Sequence, residues 1–161
     1  MLAIQLPNHL VNQLHQELAS AGYREIGGIL MGEQIVPGKF RVMEMTFQRH
    51  GGMIARFIRN ARIALSSLQR FFTQTGHRYH RYNYLGEWHS HPSFDPYPSP
   101  TDHQSMVELA CNPHTGANFV VLMIVRLANE ERIEASVTTY LPDGTISAST
   151  LLLGDTTEDL P

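Results

Sequence analysis

Leu85-Gly86-Glu87-Trp88-His89-Ser90-His91-Pro92 is followed by Ser93-Phe94-Asp95-Pro96-Tyr97-Pro98 and then by Ser99-Pro100-Thr101-Asp102. The first piece reads as a buried strand that Pro92 ends, the second as a proline-rich loop, the third as the start of a helix. His89 and His91 stand two residues apart, so an unbroken strand puts both imidazoles on one face. The loop then returns a carboxylate, Asp102. Two imidazoles and one carboxylate make the three-ligand set of a catalytic zinc site, with a fourth position for water.

Each piece also has a plainer reading. A His-x-His pair alone is more often a pair of surface or core histidines than a metal site. Ser99-Pro100-Thr101-Asp102 is a good helix start in its own right, with Ser99 as N-cap, Pro100 as first helical residue and Asp102 as the returning side chain of a capping box. The combination is what carries the metal reading.

The combination also resembles a known family. His89-Ser90-His91-Pro92, six residues, then Ser99 and Asp102 is similar to the JAMM (MPN+) zinc metallopeptidase signature, and Glu25-Ile26-Gly27-Gly28-Ile29-Leu30-Met31-Gly32 resembles its upstream glutamate element. The resemblance covers roughly residues 1–140. Gly86-Glu87-Trp88 looks like the bacterial, deubiquitinase-like branch, whose members often accompany ubiquitin-like conjugation genes. It implies a cytidine-deaminase-like α-β-α sandwich and Zn2+ on His89, His91 and Asp102. It also implies Glu25 as the catalytic proton carrier and Ser99 as the stabiliser of the oxyanion. The implied activity is a zinc-dependent isopeptidase or peptidase that cleaves after the C-terminal tail of a ubiquitin-like protein, in deconjugation or precursor maturation. The implied partners are that modifier, its conjugates and the conjugation enzymes of the same operon, in an anti-phage setting.

Two other readings compete. One is a hydrolase that releases an amino acid from a sulfur-carrier protein; the other is a non-catalytic MPN scaffold, which usually loses the ligands that this chain keeps. Nucleic-acid binding ranks last. Its motive is residues 49–81, which hold seven of the twelve Lys and Arg residues and no Asp or Glu; the plainer reading is a solvated helix face.

With 161 residues, 42% hydrophobic and 17% charged, the chain reads as one domain able to bury a core. We place the domain at residues 1–153 and an acidic, frayed tail at 154–161. A single cysteine, Cys111, excludes an internal disulfide and fits a reducing compartment. No signal segment and no apolar run of about 18 residues is evident, so the expected setting is the cytoplasm, away from membranes.

Periodicity supplies the rest. Residues 8–21 read as a helix on Leu10, Leu14 and Leu18, with Asn8 as N-cap. Residues 61–75 read as a helix whose apolar stripe is Ala64, Leu65, Leu68, Phe71 and Phe72. Strands are expected at 2–6, 29–34, 40–47, up to Pro92, 118–127, 132–140 and 145–153. In the second of these strands' approach, Gly27 and Gly28 suit either close backbone contact or a simple turn. In 40–47, Met43, Met45 and Phe47 alternate against Glu44 and Thr46. Gly51-Gly52 is expected to break that strand. Residues 118–127 are nearly all apolar, as in a strand covered on both faces, whereas 132–140 alternate as in a half-exposed one. Interleaved helices and strands predict an α/β domain with a single mixed sheet and flanking helices.

Overall fold

The computed structural model describes residues 1–48 and 61–155, the side chains of 61–63 excepted. Seven strands, β1 (Ala3–Leu6), β2 (Gly27–Val36), β3 (Lys39–Met45), β4 (Tyr82–Ser90), β5 (Val120–Ala128), β6 (Arg132–Tyr140) and β7 (Ile146–Leu153), lie in one mixed sheet. Among the described residues three helices flank it: α1 (Asn8–Ala21), α2 (Ala61–Gln74) and α3 (Pro100–Cys111). The expected fold class is therefore what forms. The sheet order is β1-β3-β2-β4-β5-β6-β7, and β1 also pairs with β7, so the two edges meet and the sheet closes. Three pairings are parallel: β1 with β3, β1 with β7, and β4 with β5.

The sheet buries both faces. On one, Leu10, Leu14 and Leu18 of α1 pack with Leu85, Trp88, Val121, Met123 and Val125. On the other, Met106 and Ala110 of α3 meet Val120, Leu122, Ile124 and Tyr140. Ala64 and Phe71 of α2 meet Ile29 and Met31 on that same side. Successive residues of β5 thus serve different helices, the doubly covered strand its composition predicts. The two covering helices on one side and α1 on the other make the layered sandwich.

Several local expectations need correction. Asn8 is not the N-cap of α1. Pro7 occupies that position without a side-chain cap, and Asp155 caps the helix instead, accepting from the Asn8 backbone N–H at 3.2 Å and from Asn8 Nδ2 at 2.9 Å. A carboxylate at a helix N-terminus also suits the helix dipole. Leu65 is 54% exposed, so the α2 stripe is wider than the surface it covers. Met43 does not share the buried face with Met45. Met31 pairs with Glu44 but Gly32 with Val42, which leaves Met43 as the extra residue of a bulge. β6 is buried over Val137–Tyr140 and open only in its first part. The proposed break at Gly51-Gly52 and the tail from 156 onward lie outside the described residues. Gly154, by contrast, is tied to β1 through Leu6 O at 2.8 Å.

No helix among the described residues is long and apolar enough to cross a membrane. The described arginines of the basic segment are engaged locally. Arg70 meets Glu44 at 3.3 Å, Arg81 meets Glu33 at 3.2 Å, and Arg78 lies over the Tyr82 ring. Arg49, Arg56 and Arg59, and the side chain of Arg62, lie outside what is described.

Candidate metal centre

β4 ends where its neighbours still cover it, so its last residues are buried: His89 is 4% exposed and His91, just beyond the strand, 9%. Alternation puts Trp88 and Ser90 on the opposite face, where Trp88 Nε1 donates to the Thr46 carbonyl at 2.9 Å. Trp88 is core, as its position predicts.

The chain then crosses the proline-rich loop and re-enters at α3. Ser99 and Asp102 form the predicted capping box. The Ser99 backbone N–H and hydroxyl both donate to Asp102 Oδ2 at 2.7 Å, and the Asp102 N–H donates back to Ser99 Oγ at 3.2 Å. One carboxylate oxygen is thereby immobilised. The other, Oδ1, lies 3.3 Å from His89 Nε2. Burial by itself would raise the Asp102 carboxyl. The hydrogen bonds from His89 and Ser99 outweigh it and hold the group well below the usual carboxylate range.

His89, His91 and Asp102 therefore converge. His89 Nε2 is 3.1 Å from His91 Nε2, and His91 Nε2 is 3.6 Å from Asp102 Oδ2. Ligand atoms around a tetrahedral zinc with bonds of about 2.0–2.1 Å sit about 3.3 Å apart. His89 Nε2 lies near that spacing from both partners, 3.1 Å from His91 Nε2 and 3.3 Å from Asp102 Oδ1, while the 3.6 Å from His91 Nε2 runs to the other carboxylate oxygen, Oδ2. His91 Nδ1 lies 3.1 Å from the Asp95 carbonyl oxygen, which only accepts, so Nδ1 donates there and Nε2 is the ring nitrogen turned toward His89 and Asp102. The donor set fits a zinc ion.

The loop between the ligands is braced from β5 and β6. Arg126 Nη1 donates to the Phe94 carbonyl at 3.2 Å and to Asp95 Oδ1 at 3.1 Å, while Arg126 Nε donates to Glu134 at 2.6 Å. The Ser136 hydroxyl donates to the Pro96 carbonyl. Sequence reading missed this brace, because Arg126 and Ser136 come from strands whose pairing no local pattern reveals.

Glu25 arrives from the other side. Ile26 O accepts from the Ser90 N–H at 2.8 Å, and the Ile26 N–H donates to Ser90 Oγ at 3.0 Å. Gly27 pairs with His89 and Ile26 bonds to Ser90, and Glu25 directly precedes these residues at the end of the β2–β4 ladder. Glu25 is half-buried. The Ser90 hydroxyl, on the face opposite His89, anchors the residue next to Glu25. Of the other histidines, His103 bonds Tyr140 Oη at 2.8 Å and ties α3 to β6. A groove of about 490 Å3 borders the reverse side of the site, lined by Leu18, Tyr23, Arg24, Ser90, Pro92 and Arg126 among others.

Comparison with known proteins follows the same lines. Residues 7–138 match the model of the prokaryotic homologues of the JAB domain. A protein of Enterobacter hormaechei subsp. hoffmannii (strain UCI 50) named CD-NTase/cGAS isopeptidase is 31% identical over 115 residues, 70% of this chain and 61% of that protein's length. The chain thus spans less than two thirds of that relative. Two solution structures share the fold at low identity. A protein from Desulfitobacterium hafniense has TM-score 0.65 at 18% identity, covering 96% of this chain and 95% of its own. A protein from Salinibacter ruber has TM-score 0.54 at 17% identity, covering 98% and 94%. With the family match running through His89, His91 and Asp102, the converging residues, the chain belongs to the prokaryotic homologues of the JAB domain.

Proposed function

We propose that this chain is a zinc-dependent isopeptidase of the JAMM type, acting on the C-terminal tail of a ubiquitin-like protein or of a protein conjugated through such a tail. The observation that carries the reading is the buried convergence of His89, His91 and Asp102, whose ligand atoms all lie within 4.8 Å of one another. The isopeptidase name of the Enterobacter relative supports it.

His89, His91 and Asp102 would hold the metal. Zinc bound there would supply a Lewis acid that acidifies water and polarises the scissile carbonyl. Glu25 takes the proton of the attacking water and passes it to the departing amine, so that one group serves as base and then as acid. Ser99 donates its hydroxyl to the oxygen of the tetrahedral species. Its proton rests on Asp102 Oδ2 at 2.7 Å and must turn from that oxygen to do so. One such hydrogen bond is typically worth about 2.7–4 kcal/mol of barrier. An extended tail suits a site at the end of a sheet, where backbone hydrogen bonding fixes register. The working setting we infer is the cytoplasm, beside the enzymes that attach the modifier.

The test uses purified protein with one equivalent of zinc and a ubiquitin-like modifier fused through its tail to a reporter. Cleavage after the tail, lost in a His89→Ala/His91→Ala variant, is the expected result. Equal turnover of short unstructured peptides would hand the site to small substrates. No cleavage of either by zinc-loaded protein would leave a scaffold.

A further inference from the structure

The face of β4 that carries His89 also carries two polar side chains that the proposed chemistry does not use. Leu30 pairs with Gly86 but Met31 with Tyr84, so Leu85 is the extra residue of a bulge. Gly86 sits at φ 150°, and a Cβ there would lie 2.0 Å from the Val121 carbonyl oxygen, so only glycine allows this turn of the strand. The bulge changes the alternation. Leu85 and Trp88 share the α1 face, while Tyr84 packs among the clusters under α2 and α3. Tyr84 and Glu87 are thereby brought to one face, with His89 the next residue along it.

Along that face Tyr84 Oη, Glu87 Oε1 and His89 Nδ1 are all buried, and none has a hydrogen-bond partner of ordinary geometry among the described residues. The Tyr84 hydroxyl is nonetheless close enough to the Glu87 carboxyl for each to perturb the other. Buried polar groups are rarely left unpaired. The contrast with His91 sharpens the point, since its second ring nitrogen already has the Asp95 carbonyl. Once His89 Nε2 is a metal ligand, its proton must sit on Nδ1, and metal-bound histidines almost always donate that proton to a carboxylate, a carbonyl or water.

We propose that Tyr84, Glu87 and His89 form a buried hydrogen-bonded column in which Glu87 is the positioning residue for His89. Glu87 accepts from His89 Nδ1–H, directly or across one shared water, and Tyr84 donates to the Glu87 carboxyl. The span favours the shared water: strand residues two apart are about 6.5–7 Å from Cα to Cα, and the three polar atoms supply the partners that a buried water needs. The inference rests on the reading of His89 as a zinc ligand. It adds that the metal is steadied from within the sheet on the His89 side, as it is from the loop on the His91 side.

The experiment uses the zinc-loaded full chain. Long-range 1H–15N spectra of the histidines should show a protected Nδ1 proton on His89 whose resonance moves in Glu87→Gln, a variant that keeps an acceptor oxygen. Zinc affinity by chelator competition should stay within a few-fold of wild type in Glu87→Gln and fall about 10–100-fold in Glu87→Leu. A cobalt-substituted Glu87→Leu protein should show an altered absorption spectrum. An unmoved His89 Nδ1 resonance in Glu87→Gln, or wild-type affinity in folded Glu87→Leu, overturns the column while leaving the metal site standing. A wild-type protein that takes up no zinc overturns the metal reading and the column together.

Discussion

Gly27 faces His89 across the β2–β4 pairing so closely that a Cβ on it would lie 2.6 Å from the Trp88 carbonyl oxygen and 3.0 Å from His89 Cβ. The glycine is there for approach, not for a turn. Gly28 meets Thr46 in the same way, at 2.0 Å from its carbonyl oxygen. The prediction is that Gly27→Ala forces β2 away from β4 at the end that carries His89. Overpacking of this kind typically costs about 1–3 kcal/mol. Denaturant unfolding should show that loss, and zinc affinity should fall with it. A variant of wild-type stability and zinc affinity would mean that the gap closes by a harmless shift.

Ser90 faces away from His89, yet its hydroxyl holds the Ile26 N–H at 3.0 Å. Ser90→Ala removes that acceptor from a buried amide, a loss of about 1–3 kcal/mol. Ile26 adjoins Glu25, so misplacement of the chain should reach the proposed proton carrier before it reaches the ligands. The expected pattern is near-full zinc content with turnover reduced about tenfold or more. Equal losses of zinc and turnover would place the damage in the ligand set instead.

Asp102 combines two tasks that a pair of substitutions separates. Asp102→Ala should lose zinc and also the capping box, lowering the stability of even the metal-free protein by about 0.5–2 kcal/mol. Ser99→Ala should lose the cap to a similar degree while all three ligands remain. Thermal unfolding in excess chelator should therefore show both variants less stable than wild type, with zinc uptake abolished only in the first. Metal-free proteins that melt together would show that the capping box contributes nothing measurable.

How much of this was legible in sequence depends on distance along the chain. The His89/His91 pair and the Ser99 to Asp102 box are local patterns, and both form where spacing places them, since two-residue alternation and helix capping are decided within a few residues. Met43 and Leu85 were not legible. Each is a bulge residue, and a bulge is defined only against the partner strand. The Asp155 cap on Asn8 spans almost the whole chain, and the closure of β1 on β7 depends on the same long-range meeting. Glu25 is intermediate: its glycine neighbours hint at close contact, while its place next to the Ile26–Ser90 hydrogen bonds depends on the pairing register.

The sharpest prediction sets Glu25 against Glu87. Glu87 has the property that usually marks a catalytic acid: burial pushes its carboxyl up to about 8, against a smaller opposing pull from the Tyr84 hydroxyl. It is only 3% exposed, however, and lies within the sheet between the pairing partners Ile29 and Leu122. A proton carrier must come within about 3.2 Å of the reacting water and of the departing amine, and a group inside the sheet has no path to the amine. Glu25 is half-buried at the open end of the pairing. Glu25→Gln should therefore keep its zinc and lose about 10²-fold or more in turnover, which added zinc does not restore. Glu87→Leu should lose turnover only in step with bound zinc, and saturating zinc should recover it. Measuring turnover against zinc content for both variants decides the matter. A Glu25→Gln protein that stays active, beside a zinc-saturated Glu87→Leu protein that does not, would make the buried glutamate the proton carrier.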